Sequence, residues 1–217
     1  MIKTINHDEM LRYLGHRGQE IPAELGNAID NAKSLCLKLA KPRSIYRIFD
    51  IDKSGGLSLC GAALELAGSN IQQHLKNCGK TAVFAATLGT EIDINISLLS
   101  RTDLSAALLL DAAATTLIEQ VCDEAENEIC KKAAEDNFFI TTRFSPGYGD
   151  FPIDAQPNLL NVLDAGKKIG LSCTSSMIMT PQKSVTAIIG LGKGEQTQKS
   201  KCAECSLKNS CTYRALQ

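Results

Sequence analysis

Thr81-Ala82-Val83-Phe84-Ala85-Ala86-Thr87-Leu88 is the stretch of this chain that decides the fold. Its residues are apolar or β-branched, none is charged, and Gly89 ends the run. A short apolar run bounded by a glycine is typical of a strand that is buried inside a protein. The stretch therefore predicts a buried strand, and the segments on either side must supply the elements that cover it.

Helices are predicted directly after this strand, over residues 91–101 and 102–135. Asp103 is favourable at the start of the second helix, because a negative charge complements the positive end of the helix dipole. The second helix is long, and the sequence leaves open whether it is kinked or split near Cys122. An apolar, β-branched run at residues 138–143 then predicts another strand.

The segments before the buried strand begin with helices. They are predicted over residues 7–14 and from Pro22 to Lys41, where apolar residues recur at helical spacing. Residues 44–52 alternate in polarity and predict a strand, which a turn joins to a returning strand at residues 57–59.

The region after residue 152 mixes both kinds of element. A helix is predicted over residues 156–165, ended by Gly166, and strands are predicted at residues 169–173 and 184–191. The whole pattern predicts an α+β fold, with a helical N-terminal part and a mixed or antiparallel twisted sheet flanked by helices.

The composition changes near the C-terminus. Residues 192–201 are polar and predict a linker between an α+β domain at residues 1–191 and a small Cys-rich tail at residues 202–217. The tail contains three cysteines with C-x2-C-x5-C spacing: Cys202, Cys205 and Cys211.

Thiolates at this spacing could bind a metal, and they suit zinc or an iron–sulfur cluster equally well. The fourth ligand could be a histidine, a group from a second subunit, an exogenous ligand, or one of three other cysteines: Cys60, Cys78 and Cys173. The alternative is a flexible tail with reactive thiols.

Composition and charge restrict the class of protein. The chain has 217 residues, 44% of them hydrophobic, and a formal net charge of -1, so it can bury a sizeable core and shows no electrostatic footprint for nucleic acid. The N-terminus lacks an apolar signal core, and the most apolar segment, Leu104 to Ile118, is interrupted by Asp111 and is too short to span a bilayer. We therefore expect a soluble, cytoplasmic protein, in which nine cysteines do not form a disulfide framework.

Two further patterns allow more than one interpretation. A helix over residues 69–78, ended by Gly79, would place His74 and Cys78 on one face. Such a pair could bind a metal or create a reactive thiol, but it could equally be a half-buried helix end that packs on a strand. On the long helix, Asp123-Glu124-Ala125-Glu126 predicts a solvated face.

The richest candidate site is Arg143-Phe144-Ser145-Pro146-Gly147-Tyr148-Gly149-Asp150-Phe151-Pro152. Its prolines and glycines exclude regular structure and predict a rigid loop, with Arg143 at the base and Tyr148 near the tip. The glycines uncover backbone groups, and the planar fork of an arginine suits a carboxylate. The alternative is a surface turn of no further function.

The first six residues of this loop resemble the Arg-x-x-x-Gly-Tyr signature of the S-adenosylmethionine-binding activation domain of cobalamin-dependent methionine synthase. Residues 169–181 are similar to the family's run of Ile-Gly, Leu-Thr-Glu-Ser and Met-x-Pro, and residues 183–187 to its Ala-Ser-Val-Ser-Gly. The three motifs stand in the family's order, and the front of the chain resembles freestanding short members.

The resemblance implies a function in reactivation. Such a domain presents S-adenosylmethionine to cob(II)alamin while an electron arrives, and methylcobalamin is the product. It implies that Arg143 holds the methionine carboxylate, that Tyr148 borders the ligand, and that the backbone of three residues lines the adenine or ribose: Ser145, Pro146 and Gly147.

The sequence also departs from the family. Ile188 and Ile189 stand where the family has an aromatic residue, and the family's acidic ligand near the start of the domain has no match. The catalytic, folate, homocysteine and cobalamin modules are absent, as is an Asp-x-His-x-x-Gly motif. The resemblance thus implies a component of methionine synthase activity, and of methionine biosynthesis, rather than a complete enzyme.

Three functions are consistent with these patterns. The first is a freestanding reactivation subunit that binds S-adenosylmethionine and supports reductive methylation on a separate corrinoid methyltransferase protein. The second is an electron-transfer or docking accessory whose tail holds an iron–sulfur cluster or zinc, working with or in place of an electron-donor protein. The third is a binding module whose loop serves only for docking.

Overall fold

A computed structural model of the protein describes residues 2–193. Within that range the helices are α1 (His7–Tyr13), α2 (Ala23–Leu39), α3 (Ser69–His74), α4 (Thr90–Leu99), α5 (Leu104–Glu135), α6 (Gln156–Leu163) and α7 (Ala165–Ile169). The strands are β1 (Arg43–Asp52), β2 (Ser58–Leu59), β3 (Cys78–Thr87), β4 (Phe139–Ile140), β5 (Ser172–Cys173), β6 (Met179–Thr180) and β7 (Ser184–Gly192).

Five of these strands form one sheet in the order β2-β1-β3-β7-β4, and all of its pairings are antiparallel. Strands β5 and β6 form a separate antiparallel hairpin. The α+β class with a sheet flanked by helices is therefore confirmed, and the sheet is antiparallel rather than mixed.

Strand β3 is the centre of the molecule, as the run at residues 81–88 predicts. Its side chains alternate between two hydrophobic cores, one on each face of the sheet. Phe84 packs with residues of α2, α4 and α5, whereas Val83 packs with residues of α3, α6 and α7. Both side chains are fully buried, because helices cover both faces of the sheet.

Helix α5 runs along the first of these two faces for 32 residues without a break, so it is neither split nor interrupted near Cys122. Asp103 stands directly before its first turn, as expected, and the structure shows that it also caps the helix, since its side chain accepts a hydrogen bond from the backbone N–H of Ala106. The apolar segment 104–118 is only the first part of this helix, which is long and apolar enough to cross a membrane by length and composition. More than half of its most apolar window is buried inside the protein, and the core helix of a soluble protein passes the same test.

Four sequence predictions about local structure have the wrong bounds. The helix predicted over residues 69–78 ends at His74, because Cys78 pairs with Gly192 and already belongs to β3. The predicted strand at residues 138–143 has regular pairing only at Phe139–Ile140.

The other two errors concern the helix predicted over residues 156–165 and the strand predicted over residues 169–173. Asp164 adopts a left-handed conformation that ends α6, so Gly166 lies inside α7 instead of terminating a helix. Ile169 also belongs to α7, and the strand predicted to start there begins only at Ser172.

The sequence-based division into three units stays a prediction. Gly192, placed in the linker by the sequence, is the last residue of β7. The rest of the predicted linker beyond Lys193 and the Cys-rich tail lie outside the described residues.

Candidate functional site

The Arg143 loop, residues 143–152, starts beside the edge of the sheet. The backbone N–H of Phe144 donates to the carbonyl of Ile188 at 2.9 Å, and the N–H of Ile188 donates back at 2.8 Å. Because successive residues of an extended chain face opposite sides, Phe144 points into the core beneath α3 while Arg143 points toward α5. The pairing thus fixes the direction in which Arg143 leaves the sheet.

The rest of the loop is tied together by its own backbone. The N–H of Tyr148 donates to the carbonyl of Ser145 at 3.1 Å, and the N–H of Gly147 donates to the carbonyl of Phe151 at 2.9 Å. Gly147 has a φ of 90°, a conformation that side chains disfavour, which explains the need for glycine there. These bonds make the loop an ordered turn, as its proline and glycine content predicts.

Arg143 lies against three carboxylates of α5. Its Nη2 donates to Glu119 Oε2 and to Asp123 Oδ1, both at 2.9 Å, and its Nε lies 3.3 Å from Glu126 Oε2. The Arg143 side chain is only 9% exposed. Burial opposes its charged form, but the negative potential of Cys122 and of the three carboxylates outweighs burial and raises the pKa of the guanidinium above its usual value.

One nitrogen of this guanidinium makes no hydrogen bond within residues 2–193. Arg143 Nη1 is buried and has no hydrogen-bond partner in the part of the chain that the structure describes. A buried donor without a partner costs free energy, so such atoms are rare unless a ligand or ion completes the site. The geometry therefore supplies one charged, directed N–H group for an acceptor that comes from elsewhere.

The carboxylates around Arg143 are the part of this site that sequence reasoning missed. Asp123 and Glu126 were expected on a solvated face, but together with Glu119 they hold a buried cation. Their spacing of i, i+4 and i+7 places them on one side of a helix and was the available signal. It could not be interpreted alone, because the sequence does not show which cation faces that side.

An aromatic group lies on the opposite side of the loop. The ring of Phe144 is 5.0 Å from that of His74, 6.1 Å from that of Tyr148 and 6.3 Å from that of Phe151. Phe151 is buried, whereas Tyr148 is 59% exposed and presents its ring at the surface. Tyr148 is therefore placed where a ligand of the loop could contact it.

Ile188 and Ile189, which replace the family's aromatic residue, lie in the two hydrophobic cores. Ile188 packs on one face of the sheet and Ile189 on the other, and both are fully buried.

The pair His74 and Cys78 does not share a helical face, so the functional interpretation of that spacing fails. His74 ends α3 and contacts Thr141 and Thr142, while Cys78 is buried in β3. Burial raises the pKa of the Cys78 thiol, with Lys53 opposing, so the thiol is not activated as a nucleophile.

No metal-binding group of three or more His, Cys, Asp or Glu side chains occurs within residues 2–193. The predicted metal ligands Cys202, Cys205 and Cys211 lie outside the described residues. The cysteines considered as further ligands differ in accessibility: Cys60 is exposed, Cys173 is partly buried, and Cys78 is buried.

Comparison with known proteins agrees with the loop motif. The family model described as "Vitamin B12 dependent methionine synthase, activation domain" matches residues 80–197, more than half of the chain. The chain belongs to this family. The match covers most of β3 and all of α5, the Arg143 loop and β7, and it confirms the resemblance identified from three short motifs.

Among solved structures, the crystal structure of the MetH reactivation domain bound to AdoHcy is similar to this activation-domain protein. The TM-score is 0.66 at 15% sequence identity, and the alignment covers 89% of this chain and 76% of the other. At that identity the likeness shows a shared fold. A sequence search of curated proteins finds no match.

Proposed function

We propose that this activation-domain protein binds S-adenosylmethionine at the Arg143 loop and presents it to a corrinoid carried by a separate methyltransferase protein. Membership of the family supports the reactivation role, and the structural relative bound to AdoHcy supports a ligand of this class. The observation that carries the proposal is the buried Nη1 of Arg143, which has no acceptor among residues 2–193.

The carboxylate of the ligand's methionine part suits this nitrogen. Charge-assisted bonds between a guanidinium and a carboxylate are about twice as strong as bonds between neutral groups, and burial strengthens them further. Arg143 is already oriented by Glu119 and Asp123, so ligand binding would not have to order a flexible side chain.

The charge of the site suits the rest of the ligand. Three carboxylates surround one guanidinium, so the local charge is negative. The methionine ammonium and the sulfonium of S-adenosylmethionine are both cationic, and either would be attracted to this excess of negative charge. The protein's contribution to methyl transfer would then be to hold the sulfonium methyl in a fixed direction.

The remaining contacts would come from the loop itself. The carbonyl of Ser145 and the N–H of Gly147 are used within the turn, so the adenosine part would lie along the outer backbone of residues 145–147. The ring of Tyr148 is exposed, and it would pack against the adenosine part. The corrinoid, supplied by the partner, would accept the methyl group after a one-electron reduction.

Calorimetry with S-adenosylmethionine tests the binding step. We expect wild type to bind and Arg143→Lys to bind about ten-fold more weakly, because lysine keeps the charge but loses the forked donors. Equal affinities would contradict the assignment of Arg143.

A second assay tests the function. The protein is mixed with a corrinoid protein in the cob(II)alamin form, a reductant and S-adenosylmethionine, and methylcobalamin formation is followed by absorbance. Formation no faster than in a mixture without this chain would refute the reactivation role.

The electron-transfer alternative depends on Cys202, Cys205 and Cys211. Anaerobic purification followed by iron and zinc analysis tests it, with a triple Cys→Ser variant as the control. Iron that disappears in the variant would favour the alternative, whereas zinc would indicate a structural role.

A further inference from the structure

Helix α3 contacts the Arg143 loop at both of its ends. We infer that α3 braces this loop, and that Asp150 and His74 are positioning residues that fix its tip and its base. The inference rests on the proposed function only where it concerns ligand affinity, because the order of the loop can be measured without a ligand.

The first end of α3 is joined to the loop tip by Asp150. Asp150 Oδ2 accepts from the backbone N–H and the hydroxyl of Ser69, both at 2.6 Å, and Oδ1 accepts from the N–H of Asn70 at 2.8 Å. In return, Asn70 Oδ1 accepts from the N–H of Asp150 at 3.2 Å. Gly68 precedes the helix and has no side chain to cap it, so a residue about 80 positions later supplies the cap.

Two glycines allow this close approach. A Cβ atom on Gly149 would lie 2.5 Å from Asn70 Oδ1, and a Cβ atom on Gly68 would lie 2.7 Å from the carbonyl oxygen of Asp150. The loop therefore has a glycine where Asn70 comes nearest, and the segment before α3 has a glycine where Asp150 comes nearest. The contact between helix and loop tip is thus built into both segments.

The second end of α3 is joined to the loop base by His74. Its Nε2 lies 2.9 Å from the carbonyl oxygen of Thr142, which can only accept, so Nε2 carries the proton. Nε2 also lies 2.8 Å from Thr141 Oγ1, which in turn accepts from the N–H of Gly190 in β7 at 2.8 Å. The imidazole lies 5.0 Å from the ring of Phe144 and is tilted by 38° to it, so His74 contacts the residues immediately before and after Arg143.

The two contacts have one consequence for Arg143. Its neighbours in the chain are held by His74 from one side and by the pairing of Phe144 with Ile188 from the other. The tip of the loop cannot move away without breaking the contacts of Asp150. The direction of Arg143 Nη1 therefore depends on α3, although no residue of α3 belongs to the ion-pair cluster.

Four variants separate bracing from general stability. Asp150→Ala removes the cap, while Asp150→Asn keeps an acceptor oxygen. His74→Leu removes the donor, while His74→Gln keeps a donor at a similar reach. Asp103→Ala is the matched control, because it removes the cap of α5 about 24 Å along that helix from Glu119.

Amide hydrogen exchange on the ligand-free protein is the first readout. We expect Asp150→Ala and His74→Leu to speed exchange at Gly147, Tyr148 and Phe151 by about five-fold, because each variant removes hydrogen bonds that hold the loop. Asp150→Asn and His74→Gln should keep most of the wild-type protection against exchange, and Asp103→Ala should leave exchange of the loop amides unchanged. Loop exchange equal to that of wild type in Asp150→Ala and His74→Leu would overturn the inference.

Calorimetry with S-adenosylmethionine is the second readout. We expect Asp150→Ala and His74→Leu to bind about five-fold more weakly, and Asp150→Asn and His74→Gln to bind nearly as well as wild type. Core amides such as that of Leu110 should keep their protection against exchange in all four variants. Faster loop exchange with unchanged affinity would overturn the positioning role. If wild type does not bind this ligand at all, the proposed function fails, and the exchange data still decide whether α3 braces the loop.

Discussion

Helix α5 holds two cations that come from other parts of the chain, and they differ in how completely they are neutralised. Lys183 Nζ lies 2.8 Å from Asp111 Oδ1 and 2.9 Å from Thr115 Oγ1, so one charge meets one carboxylate and one hydroxyl. Arg143, two turns further along, meets three carboxylates and still keeps one buried nitrogen without an acceptor in the described part of the chain.

The difference separates a structural ion pair from a candidate binding site. The Lys183 pair is balanced, and its role in holding the start of β7 against α5 is complete without a further molecule. The Arg143 cluster has excess negative charge and an unsatisfied donor, both of which a zwitterionic, cationic ligand would correct. Both cations are largely buried, so burial alone would not have distinguished them.

The largest expected effect on ligand affinity comes from replacing Arg143, and replacing Lys183 is the comparison. Arg143→Ala should weaken S-adenosylmethionine binding by about 10- to 100-fold, because a charged hydrogen bond worth roughly 1.5–3 kcal/mol is lost. Lys183→Ala should change the affinity by less than about two-fold, although it lowers the free energy of unfolding by about 1 kcal/mol. Calorimetry measures the affinity, and urea unfolding measures the free energy of unfolding. Similar losses of affinity in both variants would contradict the distinction between a binding site at Arg143 and a structural ion pair at Lys183.

A smaller effect concerns the charge of the ligand. The double variant Glu119→Gln and Asp123→Asn should reduce the preference for S-adenosylmethionine over S-adenosylhomocysteine, which lacks the sulfonium charge, by about five-fold. The effect is limited because both carboxylates are partly exposed and therefore screened. Asp111→Asn is the control on the Lys183 side, and an equal loss of preference there would show that the charge of the whole helix acts.

The smallest effect lies beside Lys183 and concerns Cys36. Burial raises the pKa of the Cys36 thiol from 9.0 to about 12, with Lys183 acting in the opposite direction. Between these two values the unfolded chain loses the thiol proton while the native protein keeps it, so stability falls as pH rises. Unfolding of Cys36→Ala should therefore depend less on pH above about pH 9 than unfolding of wild type.

This pH comparison has its own control. Cys60 is exposed and Cys36 is fully buried, so Cys60→Ala is the matched control for removing a thiol that folding does not bury. If the free energy of unfolding of Cys36→Ala fell with rising pH as steeply as that of wild type, the raised pKa of Cys36 would be contradicted.

The sequence predicted best those elements whose signal is local. The apolar run at residues 81–88 became β3, and the helix predicted over residues 102–135 is a single helix capped by Asp103. The helix predicted over residues 69–78 failed because pairing of Cys78 with the distant Gly192 outweighs local preference. Long-range pairing is not visible in the pattern of one segment.

The candidate site divides in the same way. The sequence by itself determined the loop, since prolines, glycines and the Arg-x-x-x-Gly-Tyr motif are contiguous, and it determined the family that the comparison confirmed. Only the tertiary structure decided what surrounds Arg143, because its carboxylates lie on another element and Asp150 meets Ser69 from 81 positions away. Charge balance and unsatisfied donors depend on distances between segments, and those distances exist only once the sheet has brought the loop, α3 and α5 together.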